Sequence, residues 1–302
     1  MTVVVFGSIN MDLVVQVPRL PVAGETLPGH TFFTAPGGKG ANQAVAAARL
    51  GAPTYMIGRV GGDVFGMTLR DQLRADGVDV SNVVVDGAAP SGVALIQVDA
   101  AAQNTIVVVA GANGTHDAGS LQQLNAALDT ARVLLLQLEI PLEMVVAAAR
   151  AAHERGVTTI LDPAPARSLP PELYRFVDIL TPNQSEAAAL SGVAVEDAAG
   201  AAQAAHMLRD RGVARVVVKL GEHGAYWATE SAEAAVPAIA VDAVDTVAAG
   251  DAFNGGLAAA LVAEQPWVEA LRWAMAAGAL ATTKRGAQPA LPYRDEVMKL
   301  LR

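Results

Sequence analysis

The sequence predicts an α/β fold: a central, mostly parallel sheet with helices on both faces, plus a small second sheet standing apart from it. Three observations lead there. Short β-branched runs without alternation, such as Thr2 to Gly7, are the pattern of strands buried on both faces. They alternate along the chain with helical segments, and that alternation favours parallel pairing through crossovers. The chain is 52% hydrophobic and 17% charged, ample material for a core. Its 302 residues could form one large domain or two smaller ones. No long linker or internal repeat interrupts them, so a single domain over 1–302 is expected.

The first central strand, Thr2 to Gly7, ends in Gly7-Ser8-Ile9-Asn10-Met11-Asp12. Asn10 and Asp12 thus fall just past a strand end, where ligands bind in open parallel sheets. A solvated Asn- and Asp-rich turn also accounts for them. Leu13 to Val17 resumes a strand with no room for a helix, and His30 to Thr34 is a second extended piece. Next, Pro36 to Gln43 is a glycine-rich turn running into a helix from Ala44 to Leu50. Lys39 and Asn42 there offer donors to hydroxyl or phosphate oxygens. It is not a Walker A loop, because Phe33 stands where the first glycine belongs and Gly40 follows the lysine.

Pro53 to Val60 reads as a strand and Asp63 to Ala75 as a helix ending at Gly77. Ser91 to Asp99 and Asn104 to Val109 form a hairpin. Residues 12–17, 30–34, 91–99 and 104–109 are assigned together to the small sheet. After Asn113 come helix Ala118 to Leu128, strand Val133 to Leu138, helix Leu142 to Glu154 and strand Thr158 to Leu161. Strand Val177 to Leu180, helices Gln184 to Ser191 and Asp197 to Arg211, strand Arg215 to Leu220 and a hairpin through Trp227 continue the series. Helices Trp267 to Thr283 and Tyr293 to Leu301 close the chain.

Polar groups collect at the strand ends. Glu139 follows one strand, Asp162 the next, Asn183 with Glu186 the third, and Lys219 to Gly224 the fourth. Each has an ordinary explanation: Asn183 and Glu186 make a capping box, Glu139 can favour a helix dipole, and the glycines can form turns. All of them at one sheet edge is harder to explain that way. At the same edge Val244 to Gly256 leads into a run of small apolar residues, the start of a helix. The N–H groups of Ala248 to Asp251 would be free first-turn donors, a ready anion site. Asp251 stands among them, either as a cap or as the acceptor of a proton from an attacking hydroxyl.

Composition excludes several classes. A net charge of -9 without basic clusters argues against nucleic-acid or anionic-membrane partners. The absence of cysteine removes disulfides and thiolate chemistry. No apolar run is long enough to span a bilayer, no signal-like segment opens the chain, and a cytoplasmic protein is expected. Gly7-Ser8-Ile9-Asn10 fails the dinucleotide fingerprint, G-x-S-x-G is missing, and the histidines lack zinc spacing.

The motifs GSINMDLV at 7–14, GGKGANQAVAAARLGA at 37–52, LQLE at 136–139, DPAPAR at 162–167, TPNQSEA at 181–187, VDTVAAGDAFNGG at 244–256 and KRGAQPALP at 284–292 cover nearly the whole chain. In them the sequence resembles the ribokinase (PfkB-type carbohydrate kinase) family. The resemblance implies ATP-dependent phosphorylation of a sugar, at the 5-hydroxyl of D-ribose. It implies that Asn10, Asp12, Gly38, Lys39, Gly40, Asn42, Glu139 and Asp251 hold the sugar, with Asp251 as general base. Ala248, Ala249 and Gly250 would form the anion hole. Asn183, Lys219, Leu220, Gly221, Glu222, His223, Gly224, Gly250 and Met275 would hold ATP, and Glu186 would act on Mg²⁺ through water. An activating K⁺ would lie at Asp245, Val247, Ala281, Lys284, Gly286 and Ala290. Relatives often carry Ser where Ala290 stands, so one hydroxyl ligand is absent. The small sheet would serve as a lid and homodimer interface. Other acceptors, namely 2-deoxyribose, fructose and adenosine, and a non-catalytic sugar-binding relative are the alternatives. A kinase for phosphorylated sugars would want lid cations, and residues 12–34 and 91–109 hold only Arg19.

Overall fold

The computed structural model describes residues 1–101 and 103–302. In chain order, β1 (Thr2–Phe6), β2 (Asn10–Gln16), β3 (Thr31–Gly37), α1 (Lys39–Arg49), β4 (Thr54–Gly61), α2 (Val64–Ala75) and β5 (Asp79–Asp86) come first. Then follow β6 (Gly92–Val98), β7 (Asn104–Val109), α3 (Ala118–Leu128), β8 (Ala131–Leu136), α4 (Leu142–His153) and β9 (Thr158–Leu161). The chain continues with α5 (Pro171–Phe176), β10 (Ile179–Leu180), α6 (Gln184–Ser191), α7 (Ala198–Asp210), β11 (Arg215–Lys219), β12 (Ala225–Ala228) and β13 (Glu233–Val236). It ends with α8 (Ala249–Val262), α9 (Trp267–Ala281) and α10 (Arg294–Leu300).

The main sheet has nine strands in the order β13-β12-β11-β10-β9-β8-β1-β4-β5. From β11 to β5 every pairing is parallel, and antiparallel β12 and β13 finish one edge. Strand β1 shows why the sheet is buried on both faces. Its side chains alternate, so Val3 and Val5 enter a core shared with α1, α8 and α9. Val4 and Phe6 enter the opposite core, with α3, α4 and α7. Both layers are thus apolar, as the unbroken valine run demanded.

The small sheet runs β3-β2-β6-β7, with β2 parallel to β6 and the outer pairs antiparallel. Strand β7 is exposed along its whole length, and Phe32, Leu95, Ile106 and Val107 stand in solvent. No helix among the described residues is long and apolar enough to cross a membrane.

Several elements differ from the sequence reading: β3 runs on to Gly37, past the expected Thr34, and β8 stops at Leu136, short of Leu138. Strand β2 already begins at Asn10, so Asn10 joins Asp12, expected there within 12–17, in the small sheet and does not lie in a turn. Helix α1 begins at Lys39, not Ala44. Gly38 supports that start with φ 89, and the Glu139 carboxylate accepts the Lys39 N–H at 3.1 Å, a tertiary cap no local pattern reveals. Strand β5 was not foreseen, because Asp79, Ser81, Asn82 and Asp86 dilute its valines; it is an edge strand and tolerates them. Helix α5 was missed too, since Pro170-Pro171 reads as loop although proline suits a first helical turn.

Candidate active site

The carboxyl ends of β1, β8, β9, β10 and β11 meet the amino ends of α1 and α8, and the polar residues gather there. Strand β2 brings Asn10 and Asp12 over the start of α1, with Asn10 opposite Gly37 and Gly92. These contacts need glycine. A Cβ at Gly38 would stand 2.6 Å from the Asn10 nitrogen, and one at Gly92 would stand 2.3 Å from Asn10 Oδ1. Asn113 fixes Asn10 from beneath, donating to its Oδ1 at 2.7 Å while accepting the Ile9 N–H at 2.9 Å. Glu139 does not serve the helix that follows it. Its carboxylate accepts from Ser8 Oγ and from the Lys39 N–H, at the start of α1. Burial, with Glu139 and Asp251 nearby, pushes the Asp12 carboxyl up to about 7.

Asp251 lies in the first turn of α8, 5% exposed. It makes no cap bond. Oδ2 accepts from Asn42 Nδ2 at 2.9 Å and Oδ1 from Gln43 Nε2 at 3.1 Å. Burial pushes its carboxyl up to about 6; Asp162 adds to the rise, while Lys39, Asn42 and Gln43 oppose it. Asn42 Oδ1 is buried without a partner among the described residues, a free acceptor beside the carboxylate.

Ala248 precedes the helix in the left-handed region, φ 59. The Ala249 N–H is turned back onto the Thr246 carbonyl at 3.3 Å, unlike the expectation of four free donors. The N–H groups of Ala248, Gly250 and Asp251 find no acceptor among the described residues. Ala248, Ala249 and Gly250 themselves carry no side chain larger than a methyl. Lys219 Nζ lies 3.2 Å from where a Gly250 Cβ would be.

These donors open onto a cavity of about 950 Å³. Its lining includes Lys39 and Asp251 as well as Asn183, Glu186, Lys219, Gly221, Glu222, Gly224, Gly250 and Met275. Two expected residues do not line it: Leu220 is buried in the core and the His223 side chain is mostly exposed. Asn183 and Glu186 form the foreseen capping box, the Glu186 oxygens accepting from Asn183 N–H and Nδ2 at 2.8 and 2.9 Å. Burial and then Asp162 raise the Glu186 pKa, against Lys219, the Asn183 N–H and Lys39. Burial also works against the Lys39 ammonium, but Asp251, Asp162, Glu139 and Glu186 outweigh it and hold its pKa above the ordinary lysine value.

A second locus lies at the loop before α8. The Val244 and Asp245 N–H groups both donate to the Thr282 carbonyl, joining 244–247 to the end of α9. Asp245 accepts the Val247 and Gly286 N–H groups at 3.0 and 2.9 Å. The carbonyls of Val247, Ala281, Lys284, Gly286 and Ala290 accept no hydrogen bond from the described residues.

Sequence reasoning noted Asp162 without giving it a role and passed over Ser8, Gln43, Asn113 and Gln137. Asp162 is 2% exposed, accepts from Lys219 Nζ at 3.1 Å and from Gln43 Nε2 at 3.1 Å, and lines the cavity. Ser8, Gln43 and Gln137 carried a signal, their places in GSINMDLV, GGKGANQ and LQLE, whereas Asn113 lies in none of these stretches.

Residues 1–294 match the family model described as pfkB family carbohydrate kinase. A ribokinase from Haemophilus influenzae is 41% identical over 300 residues, spanning 99% of this chain and 98% of its own. A deoxyribokinase from Salmonella typhi is 36% identical over 302 residues, spanning 100% and 99%. The structure of Arabidopsis thaliana ribokinase complexed with ribose and ATP is similar with a TM-score of 0.92 at 36% identity, covering 100% of this chain and 98% of that one.

Proposed function

The chain belongs to the pfkB family of carbohydrate kinases, and from that premise we propose that it transfers the γ-phosphoryl group of ATP to the 5-hydroxyl of D-ribose, giving D-ribose 5-phosphate and ADP. One observation carries the assignment of roles: a buried carboxylate, Asp251, shares a helix terminus with N–H groups that find no acceptor among the described residues. A carboxylate beside an anion site makes sense where a hydroxyl must lose a proton as it attacks phosphorus.

In this reading Asn10, Asp12, Gly38, Lys39, Gly40, Asn42 and Glu139 hold the sugar, and Asp251 accepts the proton of its hydroxyl. The new oxygen–phosphorus bond forms as the bond to the departing ADP oxygen breaks, its electron pair leaving with ADP. The N–H groups of Ala248 and Gly250, with Asp251 N–H, face the charge on the transferred group. The adjoining cavity takes the nucleotide. Arg19, the one cation of the lid stretches, is tied to Glu25 at 2.7 Å, which fits an acceptor without a second phosphate.

Glu186 suits a magnesium ion approached through water, since both its oxygens already accept from Asn183 and no cluster of three metal-binding side chains occurs among the described residues. Mg²⁺ there would neutralise phosphate charge. The carbonyls of Val247, Ala281, Lys284, Gly286 and Ala290, which accept no hydrogen bond from the described residues, would hold K⁺ without a side-chain hydroxyl at Ala290. The exposed small sheet is the lid over the sugar and the surface of a homodimer.

Product analysis tests the site of transfer. With MgATP and D-ribose, ³¹P–¹³C coupling in the product is expected at C5. Coupling at C1 would overturn the proposed regiochemistry. Similarity to a deoxyribokinase makes 2-deoxy-D-ribose the second acceptor to compare; the kcat/KM ratio decides between them.

A further inference from the structure

Gln43 lies fully buried in the second turn of α1, and its amide reaches three groups at once. Nε2 stands 3.1 Å from Asp162 Oδ2 and 3.1 Å from Asp251 Oδ1. Oε1 stands 2.7 Å from Gln137 Nε2. An ionised carboxylate only accepts, so the group facing two carboxylates must be the NH₂, one hydrogen for each. That fixes the Gln43 amide. It also fixes Gln137, which has to present its own NH₂ to Gln43 Oε1. Gly7 makes the room, since a Cβ there would stand 1.9 Å from Gln137 Oε1. The far end of the bridge is ionic: Asp162 Oδ1 accepts from Lys219 Nζ at 3.1 Å, beside the anion-hole residue Gly250.

We propose that Gln43 is the positioning residue of the base: its amide, oriented by Gln137, ties the Asp251 carboxylate to the Asp162–Lys219 pair. The proton acceptor and the Lys219 ammonium are then set as one unit. The inference rests on the reading of the chain as a sugar kinase with Asp251 as base. Without the two N–H groups, Asp162 and Asp251 would face each other as buried like charges, and one would take up a proton. The other groups facing Asp251 are Lys39 and Asn42 from α1, Asp12 from β2, and Lys219 from β11 by way of Asp162. Asn42 donates to Oδ2; among the described residues only Gln43 donates to Oδ1.

Gln43→Met keeps the side-chain length and removes both donors. The test measures kcat for ribose phosphorylation against pH, with ribose affinity measured separately by calorimetry. The acid limb of kcat is expected to move up by about one pH unit or more. At pH 6.5 kcat should fall roughly threefold or more, recover most of that loss by pH 8.5, and leave ribose Kd within about threefold. Gln137→Met leaves the Gln43 donors but frees the amide to turn, so its limb moves the same way by less. A loss that is uniform across pH, or a limb unmoved in the folded variants, overturns the proposal. If Gln43→Met does not fold, Gln137→Met decides by the same criterion. Failure of the wild-type enzyme to phosphorylate any sugar would remove the kinase reading instead, and shows before either variant is made.

Discussion

Burial raises the Asp251 carboxyl above the ordinary aspartate range, and its neighbours set how far that goes. With the carboxyl held at about 6, the base is ionised above that value and protonated below it. Wild-type kcat is therefore expected to be level above about pH 7 and to fall tenfold per unit well below 6, as a pH–rate profile would show. Asp251→Asn should lower kcat by about a hundredfold to ten-thousandfold while calorimetry finds ribose binding kept; near-normal turnover contradicts the base assignment. Stability runs the opposite way. Asp12 and Asp251 have folded pKa values above their unfolded ones, so folding penalises their charged forms. That cost is fully present above about pH 7 and is relieved as pH falls through about 7 and then 6. Asp12→Asn should raise the Tm of the ligand-free protein at pH 8 by about 2–5 °C and by less at pH 5, in thermal melts. An equal shift at both pH values contradicts a charge effect. Asp251 was legible in the sequence because glycines and alanines surround it. Gln43, Gln137 and Asn113 were not, since an amide shows its role only when folding brings its partners from about a hundred residues away.

The placement of α1 against α8 decides whether the donors reach the base. Helix α8 packs on α1 and α9, and glycine lets it approach closely. A Cβ at Gly255 would stand 2.4 Å from the Ala46 Cβ and 2.9 Å from the Gln43 carbonyl oxygen. Gly255→Ala should push the two helices apart, costing about 1–3 kcal/mol in denaturant unfolding and lowering kcat as Asn42 and Gln43 leave Asp251. Unchanged stability and kcat would show that this contact is slack. The small sheet makes a different claim. If it closes over the sugar, ribose should slow hydrogen exchange at 91–99 and 104–109, and an unchanged profile counts against a moving lid. Most elements were readable from apolar runs and caps. The early start of α1 was not, because its first donor is satisfied by Glu139 from a loop a hundred residues on.

As a whole molecule, this is a sheet whose strand ends supply one polar edge while a thin second sheet stands over it. The second sheet cannot bury both of its faces within one chain, and Ile106, Val107, Val108 and Val109 remain exposed. Sedimentation should therefore find a dimer, and Ile106→Lys with Val107→Lys should shift it to monomer; a wild-type monomer contradicts that surface's role. The two-sheet architecture was legible because parallel and hairpin strands leave different spacings in the sequence. How the edges meet at Asp251 depended on tertiary packing that no local pattern encodes. The central claim is that this edge moves a phosphoryl group onto a ribose hydroxyl with Asp251 as base. Its most direct test is ADP release from MgATP by the wild type and Asp251→Asn, with D-ribose, 2-deoxy-D-ribose, fructose and adenosine, each with and without K⁺. The account predicts preferred turnover on ribose, raised by K⁺ and nearly abolished in Asp251→Asn. Equal turnover by both proteins, or none on ribose by the wild type, would contradict it.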